Sequence, residues 1–276
     1  MLLHAPAKLN LCLYLGPRRD DGLHELCSLF EPIALADLVE VSGAERDEVI
    51  CAGVEGENLA EHALRALRER GWNAPPRRIE IDKRIPVAAG LGGGSADAAA
   101  VLRLAAGQVA ELEDVAAGLG ADVPSQLLPS LALVRGAGER VRRLPAPAPH
   151  ALVLLPDGGG LSTADVFAEA DRLGLGRDGA ELDGLAARLR EAAGAGASPL
   201  AYAELLRNDL EPAALSLRPS IAAAKEELTA AGAEAVLLSG SGPTAAGIFG
   251  DLGAARRAAE GIGRDDVIVC AGGTGP

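Results

Sequence analysis

The stretch IPVAAGLGGGSADAAAVL, residues 85–102, passes from a β-strand through a glycine-rich loop into an alanine-rich helix. The strand is already running in RRIEIDKRI (77–85), where apolar and charged residues alternate. The alanine-rich segment near residues 95–106 keeps a helical composition. Gly90, Gly92, Gly93 and Gly94 lie between the two. Glycines let a backbone approach a ligand closely with its amides exposed. Ser95 and Asp97 then open a helix whose N-terminus carries partial positive charge. Glycine loop and helix N-terminus together make a phosphate site in the physical sense. A plain turn in a chain rich in alanine and glycine accounts for the same residues, and this stretch alone leaves both readings open. Two better-known nucleotide loops are excluded. No lysine follows the glycines as GxxxxGK[ST] requires, and a GxGxxG beginning at Gly90 would need glycine where Ser95 stands.

Outward from that loop, the N-terminal segment AKLNLCLYL (7–15) alternates Leu9, Leu11, Leu13 and Leu15 with Lys8, Asn10, Cys12 and Tyr14. The spacing predicts a strand with one buried face. Its other face opens with a lysine in a chain that has only three, the others being Lys83 and Lys225. Either that face is a solvated edge or it lines a site.

The 276 residues suffice for one large or two ordinary domains. Hydrophobic residues make up 49% and charged ones 24%, a globular composition, and with aromatics at 2% the core must be filled by alanine, leucine and valine. A net charge of −13 without a basic stripe argues against nucleic acid and anionic membrane as partners. Cys12, Cys27, Cys51 and Cys270 form no CxxC pair and read as small buried thiols, with no zinc site or disulfide framework. No apolar run reaches the roughly 18 residues of a membrane span, and no signal segment is evident, so a cytoplasmic protein is expected.

Along the chain, the opening segment, LCSLFEPIAL and LVEVSG read as three strands. Asn58 caps a helix whose face carries Leu59, Ala63, Leu64 and Leu67 and which ends at Gly71. A second helix follows the alanine-rich one near 111–118. LPAPAPH (144–150) holds three prolines and is the best linker, dividing an α+β chain into 1–149 and 150–276. ALVLLP is then a buried strand, PSIAAAKEELTAAG a helix, EAVLLSGSGPTAAGIFG two strands around a glycine turn, and DVIVCA a last strand. Three further positions carry chemistry. Asp122, in GLGADVPSQLL, is either a helix cap or an acceptor for a hydroxyl proton. The glycine turn at Gly240 and Gly242 is a hairpin or lies against a ligand. His24, in DGLHEL, is a surface histidine or part of a site.

Taken in order, APAKLNLCLYL, DGLHEL, IPVAAGLGGGSADAAAVL, GADVP, RNDLEP and LSGSGPTAAGIF resemble the GHMP kinase superfamily from about residue 5 to 250. The glycine stretch is specific to the superfamily. PAKLNL, DG-x-HEL and GADVP resemble the branch that acts on 4-CDP-2-C-methyl-D-erythritol in the non-mevalonate route to isoprenoids. The resemblance implies an N-terminal mixed sheet with a left-handed βαβ crossover, a ferredoxin-like C-terminal domain, and an active site between them. It implies ATP with Mg²⁺ as cofactors and phosphorylation of the substrate's 2-hydroxyl. By motif, Lys8 and Asp122 would be catalytic. Pro86, Val87, Ala88, Ala89, Gly90, Leu91, Gly92, Gly93, Gly94, Ser95 and Ala96 would wrap the ATP phosphates. Asn10 and His24 would contact the cytidyl substrate, and Phe167 would stack on the cytosine. Leu23 stands where this branch usually has tyrosine, so a second flat surface for the base is missing. The competing expectations are a GHMP kinase for a smaller alcohol, of the homoserine or mevalonate type, and a catalytically idle nucleotide-binding protein.

Overall fold

A computed structural model describes residues 1–54, 56 and 58–273. The first part of the chain runs β1 (Leu2–Arg18), β2 (His24–Gly43), β3 (Glu48–Cys51), α1 (Leu59–Glu69), β4 (Arg77–Asp82), α2 (Gly93–Arg103), α3 (Leu112–Leu119), α4 (Val123–Gln126), β5 (Ala132–Gly136) and β6 (Arg140–Arg143). The second runs β7 (Ala151–Leu155), α5 (Thr163–Leu173), α6 (Gly179–Gly194), a 3-10 segment Pro199–Leu205, α7 (Glu211–Leu217), α8 (Ser220–Ala230), β8 (Ala235–Leu238), β9 (Ala245–Phe249), α9 (Leu252–Ile262) and β10 (Ile268–Ala271).

Two sheets result. The first has the order β3-β4-β2-β5-β6, with β1 also paired to β2. Its pairs are antiparallel except β3 and β4, which run parallel on either side of α1 in sequence and form a βαβ unit. The second sheet has the order β10-β7-β9-β8. Its elements follow β–α–β–β–α–β with the fourth strand beside the first and the third beside the second, the split arrangement of a ferredoxin-like fold.

LCSLFEPIAL and LVEVSG are one strand of 20 residues, not two. Pro32 suggests a break because it lacks an N–H. Here it faces Lys8 of β1, in the gap between β5, which pairs with Leu26–Phe30, and β4, which pairs with Leu38–Gly43; among the described residues only an isolated bridge from Ile33 to Gly272 touches β2 there. β2 therefore passes from one neighbour to the next at the place where proline is tolerated.

The expected single buried face of β1 also needs correction. Lys8, Asn10, Cys12 and Tyr14 are as buried as the leucines opposite them. A register shift between Asn10 and Cys12 exchanges the faces. Leu9, Leu11, Cys12 and Tyr14 consequently share one core, whereas Leu13 and Leu15 enter another with Val166 and Ala170.

The largest core crosses both halves of the chain. It joins Leu9, Leu11 and Leu29 of the first sheet to Leu152, Leu154 and Ile248 of the second, with Leu182 and Leu189 of α6 alongside. Helices α1, α2 and α3 cover a separate core with Val39, Ile79 and Ile81. Cys12, Cys27 and Cys270 are buried thiols and burial pushes all three up, but Cys51 is half-buried at the cleft described below. No helix among the described residues is long and apolar enough to cross a membrane.

Candidate active site

A cleft of about 940 Å³ opens where β1 and β2 meet the glycine loop, α5 and the β8–β9 turn. Lys8 stands at its floor, 5% exposed, and its Nζ donates to Asn10 Oδ1 at 2.5 Å. The same Nζ lies 3.3 Å from Asp122 Oδ2, 3.4 Å from the Gly90 carbonyl and 4.8 Å above the Phe30 ring. An ammonium taken this far out of water needs such partners. Asp122 precedes α4, but its side chain makes no cap hydrogen bond. The capping explanation thus fails, leaving a partly exposed carboxylate that faces the lysine. Residues 114 apart in sequence are brought together here.

Asn10 sits beneath Lys8. Its Nδ2 donates to Ser28 Oγ at 3.0 Å, and Ser28 Oγ donates to the Cys12 carbonyl at 2.5 Å. With Oδ1 on the lysine, Asn10 orients Lys8 as well as lining the cleft. This is why the two polar side chains share one strand face.

The glycine loop closes over them. The Lys8 N–H donates to the Leu91 carbonyl at 2.9 Å, continuing β1 onto the loop. Gly92 is left-handed (φ 70°) and ends the loop at the N-cap of α2, where no side chain caps the helix. The first-turn N–H groups at Gly93, Gly94 and Ser95 therefore have no intrahelical acceptor and suit an anion. Pro86 through Ser95 all line the cleft. Ala96 does not. It is fully buried against the α1–α3 core, and its N–H is spent on the Gly92 carbonyl at 2.9 Å, so it has nothing to offer a phosphate.

Further along this wall, Lys83 Nζ binds Asp37 and lies 2.8 Å from Asp97 Oδ2. Burial alone would lower the Lys83 ammonium, but the two carboxylates outweigh it and hold it above its ordinary value. Burial pushes the Asp97 carboxyl up to about 7 against the pull of Lys83. Asp97 is therefore a buried partner of Lys83 rather than an exposed opener of the helix. Two of the three lysines, Lys8 and Lys83, line the cleft of this acidic chain.

At the other end stand His24, 8% exposed, and half-buried Phe167 of α5, their ring centroids 5.6 Å apart and tilted by 42°. Leu23 beside them is 54% exposed and lines the cleft.

The β8–β9 turn is both a hairpin and a wall. Ser239 Oγ donates to the Gly90 carbonyl at 3.0 Å, and a Cβ on Gly240 would stand 3.0 Å from Asn10 Oδ1. Asn208 holds this turn in place by donating to the carbonyls of Leu238 at 2.9 Å and Gly240 at 2.7 Å. Its neighbour Asp209 accepts from the Leu15 N–H at 3.0 Å and is gripped by Arg177 at 2.7 and 2.8 Å. RNDLEP is thus the buckle between β1 and the turn. Sequence reading missed Lys83, Asp97, Asn208 and Ser239 because each looks locally like an ordinary charge, cap or turn residue.

The chain matches GHMP kinases N terminal domain over residues 58–128 and GHMP kinases C terminal over residues 181–266. It is 39% identical over 274 residues to the 4-diphosphocytidyl-2-C-methyl-D-erythritol kinase of Streptomyces avermitilis, covering 94% of this chain and 91% of that one. This chain belongs to the 4-diphosphocytidyl-2-C-methyl-D-erythritol kinase family of GHMP kinases. A crystal structure of 4-(cytidine 5'-diphospho)-2C-methyl-D-erythritol kinase superimposes with a TM-score of 0.81 at 36% identity, covering all of both chains. A homoserine kinase from Cytophaga hutchinsonii shares the fold at a TM-score of 0.68, with 18% identity over 99% of this chain and 93% of that one. The expected GHMP kinase fold is the observed one.

Proposed function

We propose that this chain transfers the γ-phosphoryl group of ATP to the 2-hydroxyl of 4-diphosphocytidyl-2-C-methyl-D-erythritol, in the cytoplasm, as a step of the non-mevalonate route to isoprenoids. The observation that carries the reading is the Lys8–Asp122 pair, 3.3 Å apart at the foot of the glycine loop, in a cleft whose far end offers the His24–Phe167 surface. The loop amides from Gly92 to Ser95 hold the phosphates, with the α2 N-terminus behind them. Asp122 accepts the proton as the hydroxyl oxygen bonds to phosphorus and ADP leaves. Lys8, fixed by Asn10, orients Asp122 and offsets charge growing on the transferring oxygens. Phe167 supplies a stacking face for the cytosine, and His24 and Asn10 border the substrate.

No group of three or more His, Cys, Asp or Glu side chains that could hold a metal stands together among the described residues. Mg²⁺ in this reading arrives on the nucleotide and supplies charge neutralisation there. We also take residues 1–149 and 150–276 as the two domains, the last three residues lying outside those described.

The test is Asp122→Asn. General-base contributions are of order 10²–10⁴-fold, so kcat should fall by about that factor with both KM values little changed. Phosphorus-31 NMR of the parent reaction should show a new monoester. Near-normal kcat in Asp122→Asn, or a higher kcat/KM for homoserine or mevalonate in the parent, refutes the reading.

A further inference from the structure

His24 and Asp171 meet across the outer end of the cleft, one from the start of β2 and the other from α5. His24 Nε2 lies 3.0 Å from Asp171 Oδ1, and its Nδ1 lies 3.2 Å from the Gly16 carbonyl. The imidazole is thereby hydrogen-bonded at Nδ1, while its Nε2 stands in contact with the Asp171 carboxylate. A ring held at Nδ1 alone would still pivot about that one contact, whereas a carboxylate 3.0 Å from its opposite edge limits the swing. Asp171 is four residues beyond Phe167, so helical spacing places both on the same side of α5. His24 touches both: its ring faces Phe167 at 5.6 Å and its Nε2 meets the carboxylate one turn further on. The second oxygen of Asp171 lies 3.9 Å from the Arg18 guanidinium, which keeps a cation beside the carboxylate.

We propose that Asp171 is a positioning residue for nucleobase recognition. By holding the His24 imidazole, it sets the angle and distance between that ring and Phe167, and so the shape of the surface that receives the base. The inference rests on the cytidyl-substrate reading above and deepens it. It also gives α5 a second task. The helix that carries the stacking phenylalanine is itself set against β2 by the same contact, across the two halves of the chain. The Asp171 side chain is 41% exposed, so solvent screens the contact and its removal should be felt as a moderate loss. The loss should fall on binding of the base, because Lys8 and Asp122 share no contact with this pair.

The experiment measures kcat and both KM values for the full chain, varying the cytidyl substrate and ATP separately. Asp171→Ala removes the acceptor, and Asp171→Asn keeps an amide oxygen in its place. The KM for the cytidyl substrate should rise roughly tenfold in Asp171→Ala and about threefold in Asp171→Asn, in keeping with loss and weakening of one polar contact that positions the ring. The kcat and the KM for ATP should stay within about twofold of the parent, a split expected when only ground-state binding is touched. Should Asp171→Ala not fold, the threefold rise in Asp171→Asn decides the matter alone. Unchanged cytidyl KM in the folded variants overturns the proposal, as does an equal loss in kcat and both KM values. A parent that turns over no cytidyl substrate overturns the functional reading itself, which an active parent with silent variants would leave standing.

Discussion

Gly92→Ala probes the proposed catalytic pair without replacing either member. Gly92 is left-handed, and a Cβ there would lie 2.9 Å from Lys8 Cγ and 3.0 Å from its Cε. Carbon atoms pack at about 3.5–4.0 Å, so the lysine stem must retreat by roughly half an ångström or more. It has little room, being 5% exposed with its Nζ already engaged by Asn10 and Asp122. Misplacing a reacting group by about 1 Å costs on the order of 10²-fold, so a kcat loss of roughly 10- to 100-fold is expected. The left-handed backbone adds about 1–2 kcal/mol of strain for alanine. That second effect can be separated. Gly71 has φ +82° with nothing within 4 Å of its added Cβ, so Gly71→Ala carries the backbone strain without touching the lysine. Steady-state kinetics and thermal melts on both variants form the assay. Both should lose comparable stability, and only Gly92→Ala should lose kcat. Equal kcat in the two variants would refute the claim that Lys8's position limits the reaction.

Ala88 lines the cleft at φ 55°, so Ala88→Gly should relieve strain, with the greater freedom of the unfolded glycine offsetting part of the gain. Calorimetry should show a Tm higher by about 1–3 °C, and a fall would contradict the argument. Leu23→Tyr should lower the cytidyl KM about fivefold, the low end of a base–aromatic stack, with kcat unchanged; no change would put the base elsewhere. Glu31 and His150 form a fully buried pair, Nε2 to Oε1 at 3.1 Å. Burial alone would lower the imidazole, but the hydrogen bond and charge of Glu31 leave it raised. Its stabilisation is full below the unfolded value of about 6.5 and is lost as pH rises through the raised folded value. Urea unfolding from pH 5 to 9 should show this decline in the parent and a flatter profile in Glu31→Gln; identical slopes would show that the pair is not its source.

Where one element's pattern is local, the residues were readable. The strand–loop–helix at 77–103 and the β8–β9 hairpin follow from alternation and glycine placement alone. Asn58 caps α1 as its position suggests, accepting from the Ala60 N–H at 2.9 Å. What escaped depends on neighbours distant in sequence. The passage of β2 through Pro32 is set by where β4 and β5 end, and the double burial of β1 by a register shift and the core behind it. The hairpin of β5 and β6 escaped because RVRR, on an edge strand, looks like solvated charge. Lys8 and Asp122 were nameable from motifs, but their 3.3 Å approach is a property of the folded chain. Asp171 had no signal, since an acid on an exposed helix is most often merely solvated.

The core shared by Leu9, Leu29, Leu152, Leu189 and Ile248 has a consequence for synthesis. A ribosome releases β1 and β2 long before α6 and the second sheet exist. Until residue 189 and then residue 248 emerge, the leucines beneath the glycine loop face water or a chaperone. The proposed phosphate cradle consequently stays unfinished while the nascent chain is on the ribosome. The first half cannot be expected to bind nucleotide by itself, and a truncation at the proline linker should yield an aggregating fragment.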